Sequence, residues 1–297
     1  MKVLNVLRSA VALGGIATLV ACGTANSSTA AAPTSATYAV KVQQIRNATM
    51  KVDYAGTTFL IDPMLAKKGT YPGFEGTYNS QLRNPLVELP MPLAEVMKAD
   101  AIIVTHTHLD HWDDAARHSL PKNLPVFAQN EADAQSIRKD GFTNVRVLTK
   151  DTLFNGTRLS PTGGQHGDDK TIAVAGELLG QVMGVVFQRQ GHKTVYVAGD
   201  TVWNSQVEGA INQYQPNVII LNTGYARIQG LDGSIIMGKE DLYRASQMAP
   251  QAKVIGSHME AVNHGMQTRK ELRDYIAEKG MDPTRVLVPA DGESYSF

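Results

Sequence analysis

The stretch Thr105-His106-Thr107-His108-Leu109-Asp110-His111 constrains this chain more than any other, because three imidazoles and a carboxylate crowd together directly after the apolar run Ala101-Ile102-Ile103-Val104. Each buried imidazole or carboxylate must find a partner or stay costly, so packing does not account for the group. The apolar run predicts a buried strand. His106 and His108 are two apart, and in extended backbone their rings leave on the same side and can grip one ion. Asp110 and His111 come where the chain turns toward the helical pattern Asp113-Asp114-Ala115-Ala116-Arg117. Adjacent residues diverge there, which suits a second ion close to the first.

Further along, Gly163-Gly164-Gln165-His166-Gly167 surrounds one histidine with glycines, which let backbone approach closely as a ligand loop requires. Asp200 ends the strand pattern Thr194-Val195-Tyr196-Val197-Ala198, which with Val185-Val186-Phe187-Gln188 predicts a hairpin. It is placed either to reach the same ions or to cap a helix. Ala252-Lys253-Val254-Ile255-Gly256-Ser257 predicts a strand delivering His258, and His264 lies six residues on. His258 ranks ahead of His264 as a ligand, because the strand fixes its position. His264 remains open as a ligand, a supporting donor or a catalytic substrate contact.

Met50, Val52 and Tyr54 alternate with polar residues, and Thr57-Thr58-Phe59-Leu60-Ile61 returns after Ala55-Gly56, predicting a hairpin that ends in Asp62-Pro63. Met64 to Pro92 is irregular and carries Tyr71, Phe74 and Tyr78. A long irregular segment in a compact domain is more often functional than idle, so Tyr71 and Phe74 are candidates for touching substrate, with simple packing as the alternative. Pro216 to Leu221 predicts a buried strand opening into Asn222-Thr223-Gly224-Tyr225-Ala226-Arg227. Loops past strand ends carry the chemistry of α/β sheets, which makes Tyr225 and Arg227 further candidates, together with Asn263 beside His264. Glu131–Asp140 predicts a helix, Asn144–Leu148 a strand, and Thr268-Arg269-Lys270-Glu271 the capping box of a helix that Gly280 closes. Val286-Leu287-Val288-Pro289 is the last strand expected.

The pattern of residues 106–111 resembles the HxHxDH signature of the metallo-β-lactamase fold superfamily, and Asp62-Pro63, His166, Gly199-Asp200 and His258 fall at its other characteristic steps. The resemblance covers essentially the whole of residues 41–297 and is nearest to the L-ascorbate-6-phosphate lactonase-like branch. It implies an α/β fold, the four-layer αββα sandwich. It also implies His106, His108 and His166 on one ion, Asp110, His111 and His258 on the other, Asp200 bridging them, and Asp62 supporting from beneath. Such nitrogen and carboxylate ligands suit two Zn²⁺, and Mn²⁺ or Fe²⁺ are compatible with them. A diiron redox site of this fold has Glu where His108 stands, and the β-lactamases proper place a Cys in the second site, which this chain lacks there.

Two cations sharing one water lower its pKa toward neutrality, so a metal-bound hydroxide becomes the nucleophile beside a carbonyl or phosphoryl group. The expectation is a metallo-hydrolase acting on a small ester, lactone or phosphoester, with Asp110, Asp200 and His264 closest to the chemistry. The alternatives are a metallonuclease or phosphodiesterase of the same fold, and a non-catalytic metal-binding envelope lipoprotein.

Residues 1–21 place Lys2 and Arg8 ahead of an Ala/Gly/Leu/Val-rich run too short to span a bilayer, the pattern of a signal peptide. Leu19-Val20-Ala21-Cys22 is similar to the lipobox of bacterial lipoproteins, which implies a lipid on Cys22; an incidental cysteine after an ordinary cleavage site is the other reading. Cys22 is the only cysteine, so no intramolecular disulfide can form. Residues 22–40 are Ser/Thr/Ala-rich and read as a flexible tether. An exported protein, lipid-anchored in the bacterial envelope and facing the periplasm, is expected. Loss of Lys2 and Arg8 leaves 26 basic against 28 acidic residues. A chain so balanced, without a basic stripe, is not expected to bind nucleic acid.

Overall fold

The computed structural model describes residues 39–297; the expected signal peptide (1–21), Cys22 and nearly all of the expected tether (22–40) lie outside the described residues. The first sheet takes its strands mainly from the N-terminal half: β1 (Lys41–Arg46), β2 (Thr49–Tyr54), β3 (Thr57–Ile61), β4 (Ala101–Val104), β5 (Val126–Ala128) and β6 (Val145–Val147). The second holds β7 (Leu153–Phe154), β8 (Thr157–Gly163), β9 (Met183–Gln188), β10 (Val195–Val197), β11 (Val218–Asn222), β12 (Lys253–Ser257) and β13 (Val286–Leu287). A final strand, β14 (Ser294–Ser296), returns to pair antiparallel with β1, giving the orders β14-β1-β2-β3-β4-β5-β6 and β13-β12-β11-β10-β9-β8-β7.

Each sheet is antiparallel at one end and parallel at the other. β1, β2 and β3 form a meander, and β3 to β6 run parallel. β7, β8, β9 and β10 alternate, and β10 to β13 run parallel. Parallel strands joined by helical crossovers are covered on both faces, which is why β4 reads Ala-Ile-Ile-Val without alternation. Ala101 and Ile103 face inward with Phe59, Phe127, Phe187 and Ile220 in the core between the sheets. Ile102 and Val104 face outward, where they pack with Trp112.

The helices α1 (Leu93–Val96), α2 (Asp114–Ser119) and α3 (Glu131–Lys139) close the outer face of the first sheet through Val96, Ala116, Ala134 and Ile137. The helix α4 (Asp169–Leu179) stands apart, packed on Ala226, Ile235 and Ile236 rather than on either main core. The helices α5 (Ser205–Tyr214), α6 (Lys239–Met248) and α7 (Arg269–Glu278) cover the second sheet through Val207, Ile211, Leu242, Leu272 and Ile276. The result is the four-layer αββα sandwich. Thr268 and Glu271 cap α7 reciprocally, as their spacing predicts.

Three elements depart from the sequence reading. Val286–Pro289 is not the last strand, because β14 follows it; Ser-Tyr-Ser has no apolar run, and its pairing with residues 41–43 depends on contacts some 250 positions away. The helix α4 was not expected, since its apolar residues lie on nearly every side and give no clean stripe. β1 precedes the expected hairpin and forms its own with β2 across the tight turn at Asn47-Ala48.

Candidate metal centre

The C-terminal ends of β3, β4, β8, β10, β11 and β12 meet at one edge of the two sheets, and a polar site residue stands at each end or within three positions of it. At the end of β3, Asp62 turns into the left-handed region with φ 46° and donates its N–H to the Ile103 carbonyl at 2.9 Å. Its carboxylate accepts from the Thr105 N–H at 2.7 Å, the Thr105 hydroxyl at 2.6 Å and His111 Nδ1 at 2.8 Å. The Thr105 hydroxyl has thereby spent its one proton, so it accepts from His106 Nδ1 at 3.2 Å.

Two more outer nitrogens face backbone oxygens. His108 Nε2 donates to the carbonyl of Leu178 at 3.1 Å, and His166 Nδ1 to that of Ile235 at 2.8 Å. Four imidazoles are therefore held by acceptors on their outer nitrogen, which leaves a lone pair on each inner one. Those lone pairs converge. His106 Nε2 lies 3.0 Å from His108 Nδ1, and His111 Nε2 lies 3.2 Å from His258 Nε2. Among the described residues the donor atoms form three overlapping groups, each within 4.8 Å: His106, His108 and His166; His106, His111 and Asp200; Asp110, His111 and His258. Nitrogen lone pairs at such separations repel unless a cation or a proton lies between them, so the donor set fits metal ions.

Asp200 is delivered by Gly199, whose φ of 71° brings its α-carbon so close to the Met183 carbonyl that a Cβ would collide with it. It caps no helix, since Asn204 caps α5. Its Oδ1 accepts from Asn222 Nδ2 at 2.7 Å, and its Oδ2 faces His111 at 3.1 Å, His258 at 3.6 Å and His166 at 3.7 Å. Asp200 thus touches both halves of the cluster. His258, itself at φ 60°, fits only because Gly224 lacks a Cβ where the His258 carbonyl passes.

Burial alone would push the Asp110 and Asp200 carboxyls up, but the neighbouring imidazoles outweigh it and hold both well below the carboxylate range. Burial likewise disfavours positive charge at His111, and the carboxylates of Asp200, Asp110 and Asp62 more than offset it, so they favour a cation, proton or metal, at its Nε2. His166 and His264 are pushed down to about 4, mainly by burial. His264 belongs to none of the converging groups; it stands edge-on to Phe74, ring centres 5.0 Å apart, with its Nδ1 buried and without a partner.

A cavity of about 370 Å³ opens over the cluster. Asp110, His108, His166, Asp200 and His264 form its floor, and Phe74, Leu109, Leu178, Leu179, Ile228 and Ile235 its walls. Glu75 stands at the rim, and among the described residues no Lys or Arg lines it. Of the residues expected against substrate, Phe74 lines this cavity. Tyr71, Tyr225, Arg227 and Asn263 do not. The Tyr71 hydroxyl accepts from the Ala115 N–H, Tyr225 packs against Gly238, and Arg227 donates to the Gly233 carbonyl and lies over the Tyr78 ring. Asn263 is buried, and its side-chain amide is fully occupied: it accepts from Phe74 N and Asn84 Nδ2 and donates to Thr77 Oγ1 and the Tyr78 carbonyl. It ties the 71–84 loop in place instead of meeting a ligand. Asn47, Asn222, Leu178 and Ile235 serve the site without any local signal in the sequence.

Residues 57–259 match the family described as a beta-lactamase superfamily domain. The chain is 50% identical over 260 residues to the UPF0173 protein YddR of Bacillus subtilis, covering 87% of this chain and all of that one. A UPF0173 metal-dependent hydrolase of Aeropyrum pernix is 25% identical over 271 residues, covering 86% of this chain and 97% of its own. The crystal structure of an isothiocyanate hydrolase from Delia radicum gut bacteria superimposes with a TM-score of 0.84 at 46% identity, covering 86% of this chain and 99% of that one.

Proposed function

The chain belongs to the beta-lactamase superfamily and, within it, to the UPF0173 metal-dependent hydrolases, and from that membership we propose that it holds two zinc ions and hydrolyses small, uncharged electrophiles, isothiocyanates foremost. His106, His108 and His166 would hold one ion and Asp110, His111 and His258 the other, with Asp200 facing both groups, and the ions would supply an acidified water and a Lewis acid for the bond under attack. The observation that carries the reading is the set of inward lone pairs left by outer-nitrogen acceptors, beneath a cavity whose walls are apolar and carry no cation.

The cavity argues for the substrate class. A phosphoester brings one or two negative charges and is met in most sites by Arg or Lys. Here the rim offers Glu75 and the walls Phe74, Leu109, Leu178, Leu179, Ile228 and Ile235, which suit an alkyl or aryl group on a neutral reacting centre. The 46% identity to an isothiocyanate hydrolase across this same region supports that choice, and small esters and lactones come next. In the reaction, oxygen from water joins the central carbon of R–N=C=S and a proton goes to nitrogen, giving R–NH–C(=O)–SH. Cleavage of its C–N bond, with the thiol proton passing to nitrogen, releases R–NH₂ and carbonyl sulfide.

His264 remains neutral at pH 7 and presents its ring to the bound electrophile beside Phe74. The test is purified protein with zinc content measured, given benzyl isothiocyanate, a lactone and a phosphodiester, with amine and carbonyl sulfide as products. Zinc-dependent amine release from the isothiocyanate is expected; turnover of the phosphodiester alone would overturn the assignment. We further propose export and a lipid anchor at Cys22, which the sequence pattern of residues 1–22 supports.

A further inference from the structure

We propose that Asn47 positions the second metal ion, holding Asp110 and His258 together from the turn between β1 and β2; this rests on the two-ion reading above. Asn47 is fully buried and sits at φ 55°, a left-handed conformation that asparagine tolerates better than most residues. Both of its polar ends are turned on the same half of the cluster. Its backbone carbonyl accepts from the His258 N–H at 3.1 Å and the Ser257 hydroxyl at 3.2 Å. Its side-chain Nδ2 donates to the Asp110 carbonyl at 3.1 Å and Asp110 Oδ2 at 3.3 Å, and lies 3.5 Å from His258 Nε2.

His258 has particular need of such a holder. Its Nδ1 is buried without an acceptor, whereas His106, His108, His111 and His166 are each fixed from outside. The Asn47 carbonyl on the His258 N–H and the Asn47 amide beside Nε2 take over that role. Asn47 Oδ1 is also buried and unpaired. Turning the amide over would satisfy nothing on the Asp110 side and would set its oxygen against the Asp110 carboxylate, so the donor end faces Asp110. Among the described residues, Asn47 meets the ligand candidates Asp110 and His258 and makes no hydrogen bond to His106, His108 or His166. One residue from the first sheet therefore ties a ligand that follows β4 to a ligand that follows β12 in the second.

A selective defect follows. Asn47→Gly keeps the left-handed backbone and the carbonyl, and removes only the amide. Loss of an outer partner costs about 10–100-fold in metal affinity. Zinc content of purified protein and chelator-competition titrations with Zn²⁺ are read on wild type and variant. The expected result is two ions in wild type, and in the variant a first affinity within about twofold of wild type with the second weakened about 10–100-fold. Retention of the first ion shows that the variant is folded. If it unfolds, Asn47→Ser, whose shorter side chain does not span the same gap, is measured in its place with the same expectation. Two ions of unchanged affinity in the variant would overturn the assignment to Asn47 alone, as would equal weakening of both. A single ion in wild type would overturn the two-ion reading and this inference with it.

Discussion

Replacing Asp62 with asparagine keeps the side chain's shape and exchanges one acceptor oxygen for a donor. The carboxylate accepts three hydrogen bonds from groups with no other partner for those protons: the Thr105 N–H, the Thr105 hydroxyl and His111 Nδ1. An alanine there would strand all three, at about 1–3 kcal/mol each, which approaches the whole stability of a domain and makes Asp62→Ala a poor probe. In Asp62→Asn the new NH₂ has two placements. Against Thr105 N–H it loses one backbone hydrogen bond, costing about 1–3 kcal/mol in stability. Against His111 it meets a donor, and the ring escapes by moving its proton from Nδ1 to Nε2, which removes the lone pair that faces Asp200 at 3.1 Å. That second outcome weakens metal binding by about 10–100-fold, or about 1.4–2.7 kcal/mol. Zinc affinity by chelator competition and thermal unfolding, read together, cover both placements. A variant unchanged in affinity within about twofold and unchanged in melting temperature would refute the account of Asp62 as the group that sets the His111 tautomer.

Three other outcomes are expected. His258→Ala should lower occupancy of the second ion, whereas His264→Ala should keep both ions and slow turnover by at least about tenfold; equal metal loss in the two variants would move His264 among the ligands. Burial holds His264 down to about 4 against 6.5 when unfolded, so the unfolded chain takes a proton that the folded one refuses. Stability should therefore fall as pH drops from 6.5 toward 4, by up to about 3 kcal/mol from this residue, and denaturant unfolding of His264→Leu should show a shallower loss than wild type over that window. If the proposed lipid on Cys22 is the anchor, Cys22→Ser should move the protein from the membrane to the soluble fraction, and identical fractionation of the two forms would contradict the lipobox reading.

Local sequence determined a good deal of this protein. Seven metal-ligand candidates were legible because imidazole and carboxylate at His106, His108, Asp110 and His111 crowd one strand end, and because His166, Asp200 and His258 each close a segment marked by glycine or by an apolar strand. The hairpins and the capped helix α7 were legible for the same reason: period-two alternation, tight turns and capping boxes act over a few residues. The tertiary structure decided what surrounds the ligands. Leu178 and Ile235 hold His108 and His166 by backbone carbonyls, which every residue possesses and no side chain advertises. Asn263 looked available for substrate, but its amide is spent on the 71–84 loop, a matter of partners nearly 190 positions away. Asn47 reaches the site because β1 and β2 lie in the sheet beside β3 and β4 while β12 arrives from the other. Residue type is written along the chain; hydrogen-bond partners are set by which strand ends the two packed sheets bring to the same edge.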